Sequence, residues 1–137
     1  MILVDTNVWS EATRAEPNEG VHRWMAAHAE DVFLPTVAIG EMLSGLALMP
    51  RGQRRQHFLA QYEMMIAANR DRIVEFDLEA ARRYADIVAI VKRSGRQPTT
   101  ADCQIAAIAQ SRGMALATRN TRDFVGLEVR LIDPWEV

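Results

Sequence analysis

Short apolar runs alternate along this chain with longer stretches in which apolar residues return every three or four positions. Met1-Ile-Leu-Val4 is an uninterrupted apolar run of the kind that forms a fully buried strand. Asp5-Thr-Asn-Val8 follows at once, with good capping residues for a helix reaching about Arg14, and Pro17 and Gly20 bracket a turn. Val21, Trp24, Met25 and Ala29 then sit at helical spacing between Asn18 and Glu30. Val32-Phe-Leu34 predicts a second strand, ended by Pro35-Thr36, with Thr36 capping a third helix to about Met49. After the break at Pro50 and Gly52, an arginine-rich start (Arg51 to Arg55) opens a fourth helix with Phe58, Leu59, Tyr62, Met65 and Ile66 on one face. Ile73-Val-Glu-Phe76 predicts a third strand, and Asp77 caps a helix to Arg93 whose stripe is Ala80, Tyr84, Ile87, Val88 and Val91. Thr99 or Thr100 caps a sixth helix ending near Gly113, followed by strands at Met114–Ala117 and Val129–Ile132.

Strands alternating with helices predict an α/β fold: a mostly parallel sheet covered on both faces. The 137 residues suit one domain, 1–137, and no repeat or linker divides them. With 49% hydrophobic and 25% charged residues, the composition is that of a folded globular protein, not a disordered one. A single cysteine, Cys103, excludes an internal disulfide framework and any zinc site built on several thiolates. No apolar run approaches a membrane span and no secretory leader is visible, so a cytoplasmic location is expected. Net charge is −2, so no global positive field advertises nucleic acid, although 15 of the 16 basic residues are arginine, the better fork for phosphate.

Four acidic residues carry the candidate chemistry. Asp5 follows the first strand directly, where ligands bind in open α/β sheets. Glu41 interrupts the apolar run Val37-Ala-Ile-Gly-Glu-Met-Leu43. Asp102 lies in the first turn of the sixth helix, and Asp123 just after the fourth strand. Each alone has a bland explanation: a helix cap, a solvated face, a favourable dipole contact or a loop residue. Together they fall on one edge of the predicted sheet, where converging carboxylates need cations to stay ionised. An all-oxygen set suits magnesium or manganese, and the corresponding chemistry is phosphodiester hydrolysis.

Ile2-Leu-Val-Asp-Thr-Asn7, Glu41 in its apolar helix, Thr100-Ala-Asp-Cys-Gln-Ile-Ala-Ala-Ile-Ala109 and Thr118-Arg-Asn-Thr-Arg-Asp-Phe124, in that order, resemble the PIN-domain ribonucleases. Length and order are similar to the toxin component of VapBC-type toxin–antitoxin systems, including the FitB-like branch. The resemblance implies a three-layer fold with sheet order 3-2-1-4-5. It also implies a Mg²⁺-dependent endoribonuclease (Mn²⁺ substituting) that is inhibited by a cognate antitoxin. On it, Asp5 and Asp102 are inner metal ligands, Glu41 and Asp123 act through water, and Thr6 and Asn7 support the first carboxylate. Thr118 and Asn120 reach a metal water or a phosphate, and Arg93, Arg96, Arg119 and Arg122 contact RNA. Cys103 replaces the small residue usual in the motif and fits the same space as core.

The helix from Thr36 supplies core and homodimer surface through Met42–Met49, with antitoxin docking there as a second reading. His22, His28 and His57 are scattered away from the acidic edge and have structural roles. Two other functions compete: a housekeeping PIN nuclease without an antitoxin, and a non-catalytic α/β binding module whose acids are helix caps. A phosphatase on another α/β fold is disfavoured, because Asn7 stands where an Asp-x-Asp motif needs its second acid.

Overall fold

The computed structural model describes residues 1–137. Its elements are β1 (Ile2–Val4), α1 (Thr6–Ala12), α2 (Glu19–Ala27), β2 (Val32–Pro35), α3 (Thr36–Ala47), α4 (Gln53–Ala68), β3 (Ile73–Val74), α5 (Leu78–Ser94), α6 (Thr100–Arg112), β4 (Ala115–Ala117) and β5 (Leu131–Ile132). Every strand pairing is parallel, and the order is β3-β2-β1-β4-β5. The chain builds outward from β1 to β3 and then returns to the other side of β1. The carboxyl ends of β1 and β4 therefore flank the point where strand order reverses.

Leu3, Val4, Leu34, Leu116 and Ala117 are fully buried, and they sit beside Val8, Ile105, Ile108 and Phe124 in one core cluster. α6 is buried along Cys103 and Ile105–Ala109, a run of small and β-branched side chains that lets it lie against β1 and β4. Cys103 is a buried free thiol within this core, and burial followed by the charge of Asp102 pushes its pKa up.

Several boundaries differ from the sequence reading for identifiable reasons. Thr36 does not cap α3: Pro35 precedes the helix without a side-chain cap, and Thr36 is its first residue. β3 ends at Val74, paired with Pro35, and β5 begins at Leu131, paired with Leu116. Single 3₁₀ turns at Arg70–Arg72 and Thr121–Phe124 carry no periodicity that would announce them. The stripe on α5 is narrower than expected, with Ala80, Ile87 and Val91 buried but Val88 partly exposed. α4 buries no residue completely, and Leu59 on its expected apolar face is exposed. The left-handed C-cap of α6 falls on Gly113, whose φ of 64° is costly for any residue with a Cβ.

Trp9 links the core to the edge where Asp5 lies: its ring is buried, and Nε1 donates to the carbonyl of Val4 at 3.0 Å. Trp9→Phe removes that hydrogen bond and part of the ring together, and should cost about 2–4 kcal/mol. Urea denaturation of the variant measures it; a loss below about 1 kcal/mol would mean the Val4 carbonyl needs no such partner.

Candidate active site

Asp5 is the first residue after β1 and the N-cap of α1. Its side chain is 2% exposed, an unusual position for a carboxylate. Three groups hold it: the Thr6 N–H at 2.7 Å, the Thr118 hydroxyl at 2.7 Å and the Asn7 side-chain amide at 3.2 Å. Thr118 follows β4 and is fully buried, so its hydroxyl joins the ends of two neighbouring strands. Asn7 also spans the gap, accepting the Arg119 N–H at 3.3 Å. Burial, only partly offset by the Thr118 and Thr6 bonds and reinforced by the charges of Asp102 and Glu41, pushes the Asp5 pKa from 3.8 up to about 6.

The other acids arrive on helices. Glu41 is half-buried on α3 and accepts the Thr6 hydroxyl through Oε1. Asp102 closes a capping box on α6: Oδ2 accepts the Thr99 N–H at 3.1 Å, and its own N–H donates to the Thr99 hydroxyl at 3.1 Å. Asp102 is thus a helix cap and a site residue at once. Asp5, Glu41 and Asp102 line one cavity of about 670 Å³ with Thr6, Asn7, Arg119 and Asn120.

The structure redistributes the remaining expected site residues. Asp123 lies in the 3₁₀ turn after β4 and does not line the cavity. Thr118 does not face solvent; its hydroxyl is committed to Asp5 and accepts the Asn120 N–H, so it orients a carboxylate and cannot reach a phosphate. Of the four expected RNA-contacting arginines, only Arg119 lines the cavity. Arg96 donates to the Arg122 carbonyl and the Ser94 hydroxyl, tying two loops together, and Arg93 folds back onto the Ala89 carbonyl. None of the three histidines lines the cavity, and His28 instead contacts the Trp24 carbonyl and stacks on its ring.

Sequence reasoning missed Glu11, Arg14, Phe58, Tyr62 and Trp135 as cavity residues. Glu11 is buried on α1 and accepts the Asn18 N–H at 2.8 Å and Arg14 at 3.1 Å. Burial works against its charge, but the Asn18 and Arg14 bonds with the charges of Arg14 and Arg119 outweigh it and hold its pKa below the usual value. A Glu three residues before an Arg reads in sequence as an ordinary helix-surface pair. Only its depth distinguishes it.

The donor set is carboxylate, hydroxyl and amide oxygen, which fits a hard divalent cation. As the side chains stand, no three acidic, histidine or cysteine groups are placed to hold one ion together. A cation here would take its direct protein ligands from a pair and fill its shell with water, the usual habit of magnesium.

The PIN domain model matches residues 2–127. VapC ribonuclease Y4jK of Sinorhizobium fredii is 41% identical over 99% of this chain and 99% of its own. Toxin FitB of Neisseria gonorrhoeae is 36% identical over 98% of this chain and 99% of its own. The structure of FitAB bound to an IR36 DNA fragment superposes with a TM-score of 0.90 at 37% identity, covering 100% of this chain and 97% of that one.

A carboxylate whose folded pKa lies above its unfolded one lowers stability as pH rises through that interval. The Asp5 penalty is absent below pH 4, grows towards about 6 and is then complete, at about 3 kcal/mol. In chelator, Asp5→Asn should match the parent near pH 4 and exceed its stability increasingly up to pH 7. Urea denaturation across that range tests this, and a difference independent of pH would show that Asp5 is not strained by burial.

Proposed function

Because the chain belongs to the PIN-domain family, among its VapC- and FitB-like members, we propose that it is the toxin of a toxin–antitoxin pair and acts as a metal-dependent endoribonuclease. One observation carries this reading: a buried carboxylate faces one cavity with two others, at the switch point of a parallel sheet, beside arginines.

Magnesium or manganese, when bound, offsets the negative charge of the carboxylates and lowers the pKa of coordinated water. Asp5 and Asp102 are the residues that would hold it. Asp5 is fixed through Thr6, Asn7 and Thr118, and Asp102 through the capping box, so neither needs to reorganise when substrate arrives. Glu41 has Oε1 occupied by Thr6, which leaves Oε2 to take a proton from the attacking water. Asp123, outside the cavity lining, would act on the cation only through water. Arg119, which lines the same cavity, supplies positive charge for the phosphate, and the exposed Asn120 adds a side-chain amide. No step requires histidine.

The antitoxin reading draws on a second groove. Met42, Gly45, Leu46 and Met49 of α3 and the linker after it line an apolar hollow of about 310 Å³ that shares Thr6, Ser10, Glu41, Phe58 and Tyr62 with the acidic cavity. A peptide seated there lies beside the carboxylates, so an apolar segment followed by an arginine or lysine would block the site by taking the cation's place. A homodimer, the commonest closed assembly, is proposed with it.

Ribonuclease activity should disappear in chelator and return with manganese, and Asp102→Asn should lower the rate about 100-fold, as loss of a metal ligand does. The triple variant at His22, His28 and His57 should remain active; a folded but dead triple variant would overturn the mechanism. Co-expression with the adjacent reading frame should yield a co-purifying inhibitor whose effect weakens when its basic residue is removed. A chain that purifies alone and arrests no growth is not a toxin.

A further inference from the structure

Arg119 differs from Arg14, the other arginine lining the cavity, and from Arg96 outside it. Arg14 is paired with Glu11, and Arg96 is bonded to Arg122 and Ser94. Arg119 is exposed, yet its guanidinium makes no hydrogen bond or salt bridge, and its backbone N–H alone is bonded, to Asn7. It is nonetheless not free to wander. The guanidinium carbon lies 5.0 Å from the centre of the Trp135 ring. Stacking engages the π face of a guanidinium and leaves its in-plane N–H donors available, the fork that grips a phosphate with two parallel bonds.

Trp135 is itself fixed. The pairing of Ala117 with Ile132 sets the β4 and β5 ends side by side, so the residues following each strand meet at the same rim. The Trp135 N–H donates to Asp133 Oδ1 at 2.9 Å, and the half-buried ring packs on the core. The buried Glu11 carboxylate supplies an attracting charge on the same side of the cavity.

Resting on the ribonuclease reading above, we propose that Trp135 is a positioning residue: its ring face holds the Arg119 guanidinium at the cavity mouth with its donors free for a backbone phosphate of the RNA. An unrestrained arginine must lose rotamer freedom on binding, and the ring removes part of that loss in advance.

The test is binding without cleavage, read by anisotropy of a short labelled oligoribonucleotide with the whole chain in chelator at low salt. Trp135→Leu keeps apolar bulk against the core but deletes the π face, and should weaken binding about fivefold. Trp135→Phe should bind close to the parent. Arg119→Ala should weaken binding at least as much as Trp135→Leu and lower the log–log salt slope by about 0.7, one phosphate contact. The double variant Arg119→Ala/Trp135→Leu should be no worse than Arg119→Ala alone. Losses that add in the double variant would mean Trp135 meets the RNA directly, which overturns the positioning role. Equal affinity of Trp135→Leu and the parent, or equal losses for Leu and Phe, also overturns it while leaving the ribonuclease reading intact. A parent chain that binds no RNA overturns that reading and this proposal together.

Discussion

The bond between the Thr118 hydroxyl and the Asp5 carboxylate holds the site in place, because it joins the carboxyl ends of β1 and β4 where the strand order reverses. It is buried on both sides, so water cannot replace it, and the fold must bring the two strand ends into register for the carboxylate to be tolerated at all. Around this bond the rest falls into order. Thr6 turns from Asp5 with its backbone and reaches Glu41 with its hydroxyl, and Asn7 bridges to Arg119. Three consecutive residues thereby connect the first strand to α3 and to the segment that follows β4.

The electrostatic arrangement is asymmetric. Burial, with the charges of Asp102 and Glu41 added to it, works against the Asp5 carboxylate. Glu11, less deeply placed than Asp5, is instead stabilised as an anion by an N–H donor and neighbouring arginines. Two buried carboxylates, one at the N-cap of α1 and one near its end, thus behave in opposite ways. Their partners decide it: one is left wanting positive charge, and the other already has it.

Much of this was legible in the sequence. The apolar runs at Ile2–Val4 and Val32–Leu34, the caps at Asp77 and Thr99 and the stop at Gly113 locate elements because local chemistry and tertiary packing agree there. Asp5, Glu41 and Asp102 were legible because carboxylates in apolar surroundings conflict with simple burial. What the sequence could not convey was direction. Thr118 is as hydrophilic on paper as Asn120, yet it points inward, and Asp123 shares a loop with the site without reaching the cavity. Glu11 and Trp135 were hidden for a related reason. Glu11 is set apart by its depth and Trp135 by the arginine its ring meets, and periodicity encodes neither.

The parallel register of β1 with β4 has a temporal side. Asp5 and Thr118 are separated by 113 positions, and the pairing that joins them has no short-range substitute. A chain emerging from the ribosome carries Asp5 almost from the start but lacks a support for it until the fourth strand is out. Until then the carboxylate lacks its Thr118 partner, and the cavity lacks the part of its lining supplied by Arg119, Asn120 and Trp135. Reactivity therefore belongs to the nearly finished polypeptide, which leaves the whole of synthesis as an interval in which a binding partner can be waiting.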